Sequence, residues 1–285
     1  FYSLISSLHV RKNQEIIQLW HGSGAYKKFG YSRRNTGDSS VIKFHRGYKK
    51  YTKVIVSSEY VRPYYAEAFG VDLDKIYATG CPRTDILYSE YNEKVKSKVI
   101  QEFPQFKEKK IVLFAPTYRG SRVADAYYDF DEADIDEVIR QLGEDYIVAV
   151  RWHRALYDNI KKGRVIAKYC NHAIDVSVYE DVNDLLIAAD VLVTDYSSII
   201  FDYALLNKPI VYFTYDEESY AYNRGLYESF DNYVYGAVAK NRDELIRAIK
   251  NEYLDIDKRK EFINKFMSSC DGDATERTIN LILEK

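Results

Sequence analysis

Short apolar, β-branched runs alternate along this chain with longer amphipathic stretches. The runs fall at residues 15–20, 53–57, 110–115, 146–151, 190–194 and 209–213. Their brevity and Val/Ile content are the pattern of parallel strands buried on both faces. Between them, residues 134–142, 182–189 and 198–206 carry the apolar spacing of helices. Alternating strands and helices predict an α/β fold with doubly wound parallel sheets. The pattern breaks at Thr79-Gly80-Cys81-Pro82-Arg83, followed by a charged helical stretch over 91–103 and a new sheet from Lys110. The reading is therefore two units: a partial one over 1–90, and a fuller one over 91–285 that ends in amphipathic helices at 258–269 and 274–283. The pattern of those last two helices suits packing on either unit.

Composition narrows the class. A chain of 285 residues with 46% hydrophobic content can bury a core, and its length fits two domains. A formal net charge of −2 gives no overall basic field, so no nucleic acid is expected as a partner. Cys81, Cys170 and Cys270 are far apart and lack C-x-x-C spacing, which argues against a disulfide framework and a zinc site and for a reducing compartment. No apolar run approaches the ~20 residues that span a bilayer, and Phe1-Tyr2-Ser3-Leu4-Ile5 lacks the shape of a signal peptide. A chain whose one methionine is Met267 reads as a processed or excised piece, with an incomplete amino-terminal domain. The 28 tyrosines suit a polar cleft, and suit equally well a half-buried surface.

Ligands of open parallel sheets sit beyond the carboxyl ends of strands, which directs attention to four places. At Trp20-His21-Gly22-Ser23-Gly24, an imidazole stands over a tight loop whose backbone N–H groups can approach an anion, and His21 suits a general base. A structural histidine bonded to its own loop fits as well. At Ala115-Pro116-Thr117-Tyr118-Arg119, a hydroxyl and a guanidinium form a plausible phosphate clamp, against the alternative of a surface arginine in a turn. At Arg151-Trp152-His153-Arg154, two arginines bracket a histidine, which serves either an anion or a salt-bridged strand end. The fourth place is the most specific: Thr194-Asp195-Tyr196-Ser197-Ser198 ends a strand and opens a helix. One of these residues is explained as an N-cap, but four polar residues in a row are not. Asp202 follows Ser198 by one turn, where it could accept from ribose hydroxyls. The later aromatic loop holds Arg224 and Tyr227, which fit either substrate binding or a solvated loop. The usual P-loop, dinucleotide and nucleophile-elbow motifs do not occur. The D-x-D at Asp129-Phe130-Asp131 recurs elsewhere, as at Asp72-Leu73-Asp74, Asp134-Ile135-Asp136 and Asp255-Ile256-Asp257, so it carries little information and no metal is expected.

Trp20-His21-Gly22, Gly80-Cys81-Pro82-Arg83-Thr84-Asp85, Ala115-Pro116-Thr117-Tyr118-Arg119, Arg151-Trp152-His153, and Thr194 to Ser198 with Phe201-Asp202 and Asn207-Lys208-Pro209 occur in that order. Together they resemble the CDP-glycerol glycerophosphotransferase family of teichoic acid and capsule synthesis, over residues 16 to 231. The resemblance implies a GT-B-like pair of Rossmann-type domains with no cofactor. It also implies transfer of glycerol or ribitol phosphate from CDP-glycerol or CDP-ribitol to a lipid-linked or polymeric acceptor, releasing CMP. By the same resemblance His21 and His153 are the two catalytic histidines. Thr117, Arg119, Ser197, Ser198 and Asp202 match positions around the donor's pyrophosphate and ribose, Arg151, Thr194 and Asp195 are expected to bind the donor with them, and Arg224 and Tyr227 belong to a substrate loop. In the expected reaction His21 is the base, and His153, Arg119 and Ser197 stabilise the diphosphate.

Nine cations between Lys27 and Lys53, with Asp38 the one acid among them, suit an anionic membrane surface or an already phosphorylated polymer, the former with a cytoplasmic, peripheral location at the inner face of the cell membrane. A solvated basic helix face is the alternative. Two rival functions remain at this level: a GT-B glycosyltransferase using a nucleotide sugar, and a non-catalytic nucleotide- or polymer-binding domain of a larger synthase.

Overall fold

In a computed structural model, the structure describes residues 2–33, 46–88, 92–120 and 123–283. Nine short strands are described: β1 (Ile17–Gln18), β2 (Lys53–Ile55), β3 (Ile76–Tyr77), β4 (Lys110–Phe114), β5 (Tyr146–Val150), β6 (Ile174–Asp175), β7 (Val191–Thr194), β8 (Ile210–Phe213) and β9 (Ala237–Ala239). They form two sheets, β1-β2-β3 and β6-β5-β4-β7-β8-β9, and every pairing within them is parallel. Each of the six expected runs is a strand. β3, β6 and β9 are additional, and two or three residues are too few for a hydrophobic period to register.

The larger sheet buries both faces. Ile111, Leu113, Leu192, Ile210 and Tyr212 point into one core, whereas Val112, Phe114, Val191, Val193, Val211 and Phe213 point into the other. That alternation is the two-residue period of a strand, with apolar side chains on both sides because helices cover both. The second core is closed by Ile135–Leu142, Arg154–Lys161 and Arg242–Asn251. The first core continues through Phe201 and Phe266 into Val54 and Phe69, so the two sheets share one apolar interior.

Helices Ile256–Phe266 and Ala274–Leu283 return to the smaller sheet. Ser57 donates to Phe266 O (2.6 Å), Ser58 to Lys265 O (2.8 Å) and Arg277 Nε to Thr79 O (2.9 Å). Asp85 accepts the amides of Ala274 (3.1 Å) and Thr275 (2.7 Å) at the start of the last helix. The sequence reading listed these helices with residues 91–285 and left either packing open; their hydrogen bonds reach both parts of the chain, because Arg259 Nε also donates to Ala204 O (2.5 Å) and Lys265 pairs with Glu228 (2.6 Å). Gly80 makes this closure possible, because at φ 89° a Cβ would lie 1.9 Å from Ser269 O.

Tyrosine abundance has a concrete use here. Tyr212 donates to Tyr233 O, Tyr233 to Ala25 O, and Tyr235 to Ile200 O, each ring buried and each hydroxyl satisfied by a distant carbonyl.

Candidate functional site

β1 ends at Gln18, and the chain then turns through Trp20 at φ 52°. A non-glycine residue pays for that conformation unless its neighbours enforce it. Trp20 N–H donates to Gln18 Oε1 (2.8 Å), Gln18 Nε2 donates to Tyr51 Oη (2.8 Å), and the indole stacks on Phe29 at 4.8 Å. The loop that follows is pinned equally hard. Tyr65 Oη donates to Gly22 O (3.1 Å) and Gly24 O (2.9 Å), and a Cβ on Gly24, at φ 63°, would sit 2.4 Å from the Phe201 ring.

The turn leaves His21 exposed at the mouth of a cleft of about 1060 Å³, which Arg83, Arg151, Lys98, Tyr179 and Asn183 also line. His21 keeps open surface while the surrounding walls thin out its solvent. That desolvation, followed by the positive charge of Arg83, holds its pKa below the ordinary 6.5. The imidazole is therefore neutral at pH 7 and carries the lone pair a base needs.

β4 and β7 are neighbours although β5 and β6 intervene in sequence: the chain runs from β4 through β5 and β6 to one edge of the sheet, and from β7 through β8 and β9 to the other. Their carboxyl ends thus flank the topological switch point of the larger sheet. Four of the expected site residues meet there, buried. Asp195 accepts from Thr117 N–H (2.8 Å), Thr117 Oγ1 (2.9 Å) and Arg119 Nη1 (2.8 Å). Arg119 also grips Asp216 through Nε (2.6 Å) and Nη2 (2.8 Å), within a box of Tyr128, Tyr196, Tyr215 and Tyr220. Thr194 Oγ1 donates to Ala115 O (2.7 Å). At the position expected to clamp phosphate, Arg119 is only 6% exposed, its fork is engaged by two carboxylates, and it ties the loops after β4, β7 and β8 together.

Ser197 and Ser198 are the accessible part of that motif. Ser197 is half-buried and accepts a long bond from Ile199 N–H (3.4 Å); Ser198 is exposed. Ser198 Oγ would lie 3.5 Å from a Cβ on Gly22, so the serine loop and the His21 loop face each other at close range.

Asp202 is buried, and its carboxylate accepts from Arg83 Nη2 (2.7 and 2.9 Å) and Ser23 Oγ (2.9 Å), so it anchors Arg83. Arg151 does line the cleft, with Nη1 donating to Tyr179 O (2.9 Å) and Val176 O (3.3 Å). His153, two residues on, is exposed and lies against Tyr118, the rings tilted by 49° with centroids 4.7 Å apart. Its Nδ1 accepts from Ala155 N–H (3.2 Å) at the start of Arg154–Lys161, which leaves the ring proton on Nε2. Tyr227 is half-buried and donates to Ser32 Oγ (3.1 Å), and burial pushes its phenol up to about 12. Arg224 ends the helix Glu217–Arg224, and its side chain lies outside the described residues.

The strand-end rule missed Arg83 and the 178–184 wall, where Asn183 Nδ2 donates to Arg83 O (3.0 Å) and Asp184 pairs with Lys98 (2.7 Å). In sequence the Gly80–Asp85 segment registers as a break and as one motif of the family resemblance, but neither signal gives Arg83 a role.

With this geometry in place, the comparisons agree with one another. The sequence profile of CDP-Glycerol:Poly(glycerophosphate) glycerophosphotransferase matches residues 2–284. A teichoic acid poly(ribitol-phosphate) polymerase of Bacillus spizizenii is 41% identical, over 99% of this chain and 45% of its own. The teichoic acid glycerol-phosphate primase of Bacillus subtilis is 32% identical, over 99% of this chain and 71% of its own. Among solved structures, the wall teichoic acid polymerase TagF soaked with CDPG superposes with a TM-score of 0.81 at 28% identity, covering 96% of this chain and 69% of that one. The chain spans about half the length of the ribitol-phosphate polymerases it matches.

Proposed function

The chain belongs to the CDP-glycerol:poly(glycerophosphate) glycerophosphotransferase family, and from that premise we propose that it moves polyol phosphate from a CDP-polyol to a hydroxyl of a teichoic acid or capsule polymer, releasing CMP. The observation that carries this reading is a neutral histidine at the mouth of a cleft that also holds two arginines. Phosphoryl transfer asks a protein mainly for positioning and charge stabilisation, and a base that is already deprotonated completes the requirement.

In this reading the acceptor O–H gives its proton to His21 as its oxygen forms a bond to the phosphorus that bears the polyol. The P–O bond to CMP breaks, and CMP leaves with the electron pair. His153 donates its Nε2 proton to a phosphate oxygen, and the hydroxyls of Ser197 and Ser198 supply further donors. Thr117, Arg119, Thr194 and Asp195 act behind them by holding the two loops in register. Relatives named as ribitol-phosphate polymerases are 36–41% identical, against 29% for a poly(glycerol phosphate) polymerase, which favours ribitol as the polyol. The test is CMP release from CDP-ribitol, CDP-glycerol and UDP-glucose with a polyol-phosphate acceptor. CMP from a CDP-polyol alone is expected, and reaction of UDP-glucose alone would transfer the site to glycosyl chemistry.

A lipid-linked acceptor brings the enzyme to the inner membrane face as a peripheral protein. No described helix is long and apolar enough to cross a membrane. The basic stretch 27–53 is only partly free for such a surface. Lys50 donates to the carbonyls of Ile5, Ser6 and Leu8, Lys53 pairs with Glu15, and Lys27 lies over Tyr220. Lys28, Arg46 and Lys49 are exposed, while Arg34 and Lys43 lie outside the described residues. Binding to anionic vesicles that fades with added salt supports the peripheral role; binding indifferent to lipid charge removes it.

A further inference from the structure

Arg83 is not at a strand end, yet it forms part of the cleft wall beside His21. Its Nη2 is held by Asp202 and by Ser23 Oγ (3.0 Å), so one corner of the guanidinium is fixed by a buried carboxylate. Nε and Nη1 have no protein partner among the described residues, and neither is sealed from solvent. Arg151 is built alike: Nη1 is spent on two carbonyls, and the rest of its fork has no protein partner among the described residues. Two arginines, each tethered at one corner and open at the other, project from different elements into one cleft. Tethering removes the rotamer entropy that a free arginine loses when it binds an anion, and a planar fork suits adjacent phosphate oxygens.

We infer that Arg83 is a diphosphate ligand, gripping the nucleotide's phosphates together with Arg151, and that Asp202 and Ser23 are positioning residues that hold its fork. This rests on the reading of the cleft as the donor site. The other charged groups around His21 in the cleft are Lys98, paired with Asp184, and the carboxylates of Glu102, Glu180 and Asp181. Arg83 is the charge that acts on His21 beyond burial itself, so its removal has a second readout in the pH profile.

The test titrates CDP, cytidine and inorganic pyrophosphate calorimetrically into wild type, Arg83→Gln and Arg83→Lys, with circular dichroism to confirm folding. In Arg83→Gln, CDP and pyrophosphate should bind about 10- to 100-fold more weakly while cytidine is unaffected. The acid limb of kcat with a CDP-polyol should rise toward pH 6.5, because the charge that depresses His21 is gone. Arg83→Lys should keep the limb in place and still lose affinity for CDP. A folded Arg83→Gln protein with unchanged CDP affinity overturns the inference. If that variant does not fold, Arg83→Lys decides: weaker CDP with unmoved cytidine supports the assignment, and unchanged CDP overturns it. Wild type that binds pyrophosphate through Arg83 but releases no CMP from any CDP-polyol leaves Arg83 standing and removes the proposed reaction.

Discussion

His21 and Arg119 looked alike in sequence, each a polar residue just beyond an apolar run, and they have opposite fates. His21 follows a turn that ejects it to the cleft mouth, whereas Arg119 is drawn inward by Asp216, a residue 97 positions later. No local pattern reports a partner that distant, which is why its burial was not legible. Asp202 shows the same limit: helical spacing puts it on the side of Ser198, while its partners Ser23 and Arg83 arrive from far earlier in the chain. The two residues therefore predict different losses. His21→Ala should lower kcat by about 10²- to 10⁴-fold with CDP affinity nearly intact, measured by CMP release and calorimetry. Because desolvation and Arg83 lower the His21 pKa, wild-type turnover should persist below pH 6.5 before its acid limb falls. The same depression means that the unfolded chain takes up a proton first. The stability contribution is complete above pH 6.5 and declines as pH drops from there toward the folded value. Arg119→Ala should instead cost about 3–5 kcal/mol in urea unfolding, because it strands Asp195 and Asp216 without their cation.

At the scale of elements, the strands were readable because β4, β5, β7 and β8 are continuous apolar runs, and the helices because their caps and spacing agree. Asp134, Asn241 and Asp255 each accept the amide of the third residue of the helix they open. What could not be read was how loops attach to one another. Gly24 is the sharpest case: its left-handed φ and the Phe201 ring exclude a side chain, so Gly24→Ala should cost about 2–4 kcal/mol in denaturant unfolding and loosen the His21 loop. Asp85→Ala should cost about 1 kcal/mol by uncapping Ala274–Leu283, with little change in CDP binding. A loss of several kcal/mol there would mean that Asp85 does more than cap.

At the scale of the whole molecule, one apolar interior runs from the smaller sheet through Phe201 and Phe266 to the larger one, and the closing helices knit the two together. The cleft is where the polar ends of both sheets meet across that shared core: His21 comes from the first, Arg151 from the second, and Arg83 from the segment that joins them. The α/β class and the general location of the site followed from strand ends. The division of labour between residues that face the cleft and residues that lock its loops required the fold itself. The central claim is that this cleft is built for a CDP-polyol. Calorimetric titration of CDP-ribitol, CDP-glycerol and UDP-glucose into wild type and the Ser197→Ala/Ser198→Ala double variant tests it most directly. The account predicts binding of a CDP-polyol but not of UDP-glucose, weakened in the double variant; binding of UDP-glucose alone, or of none of the three, would contradict it.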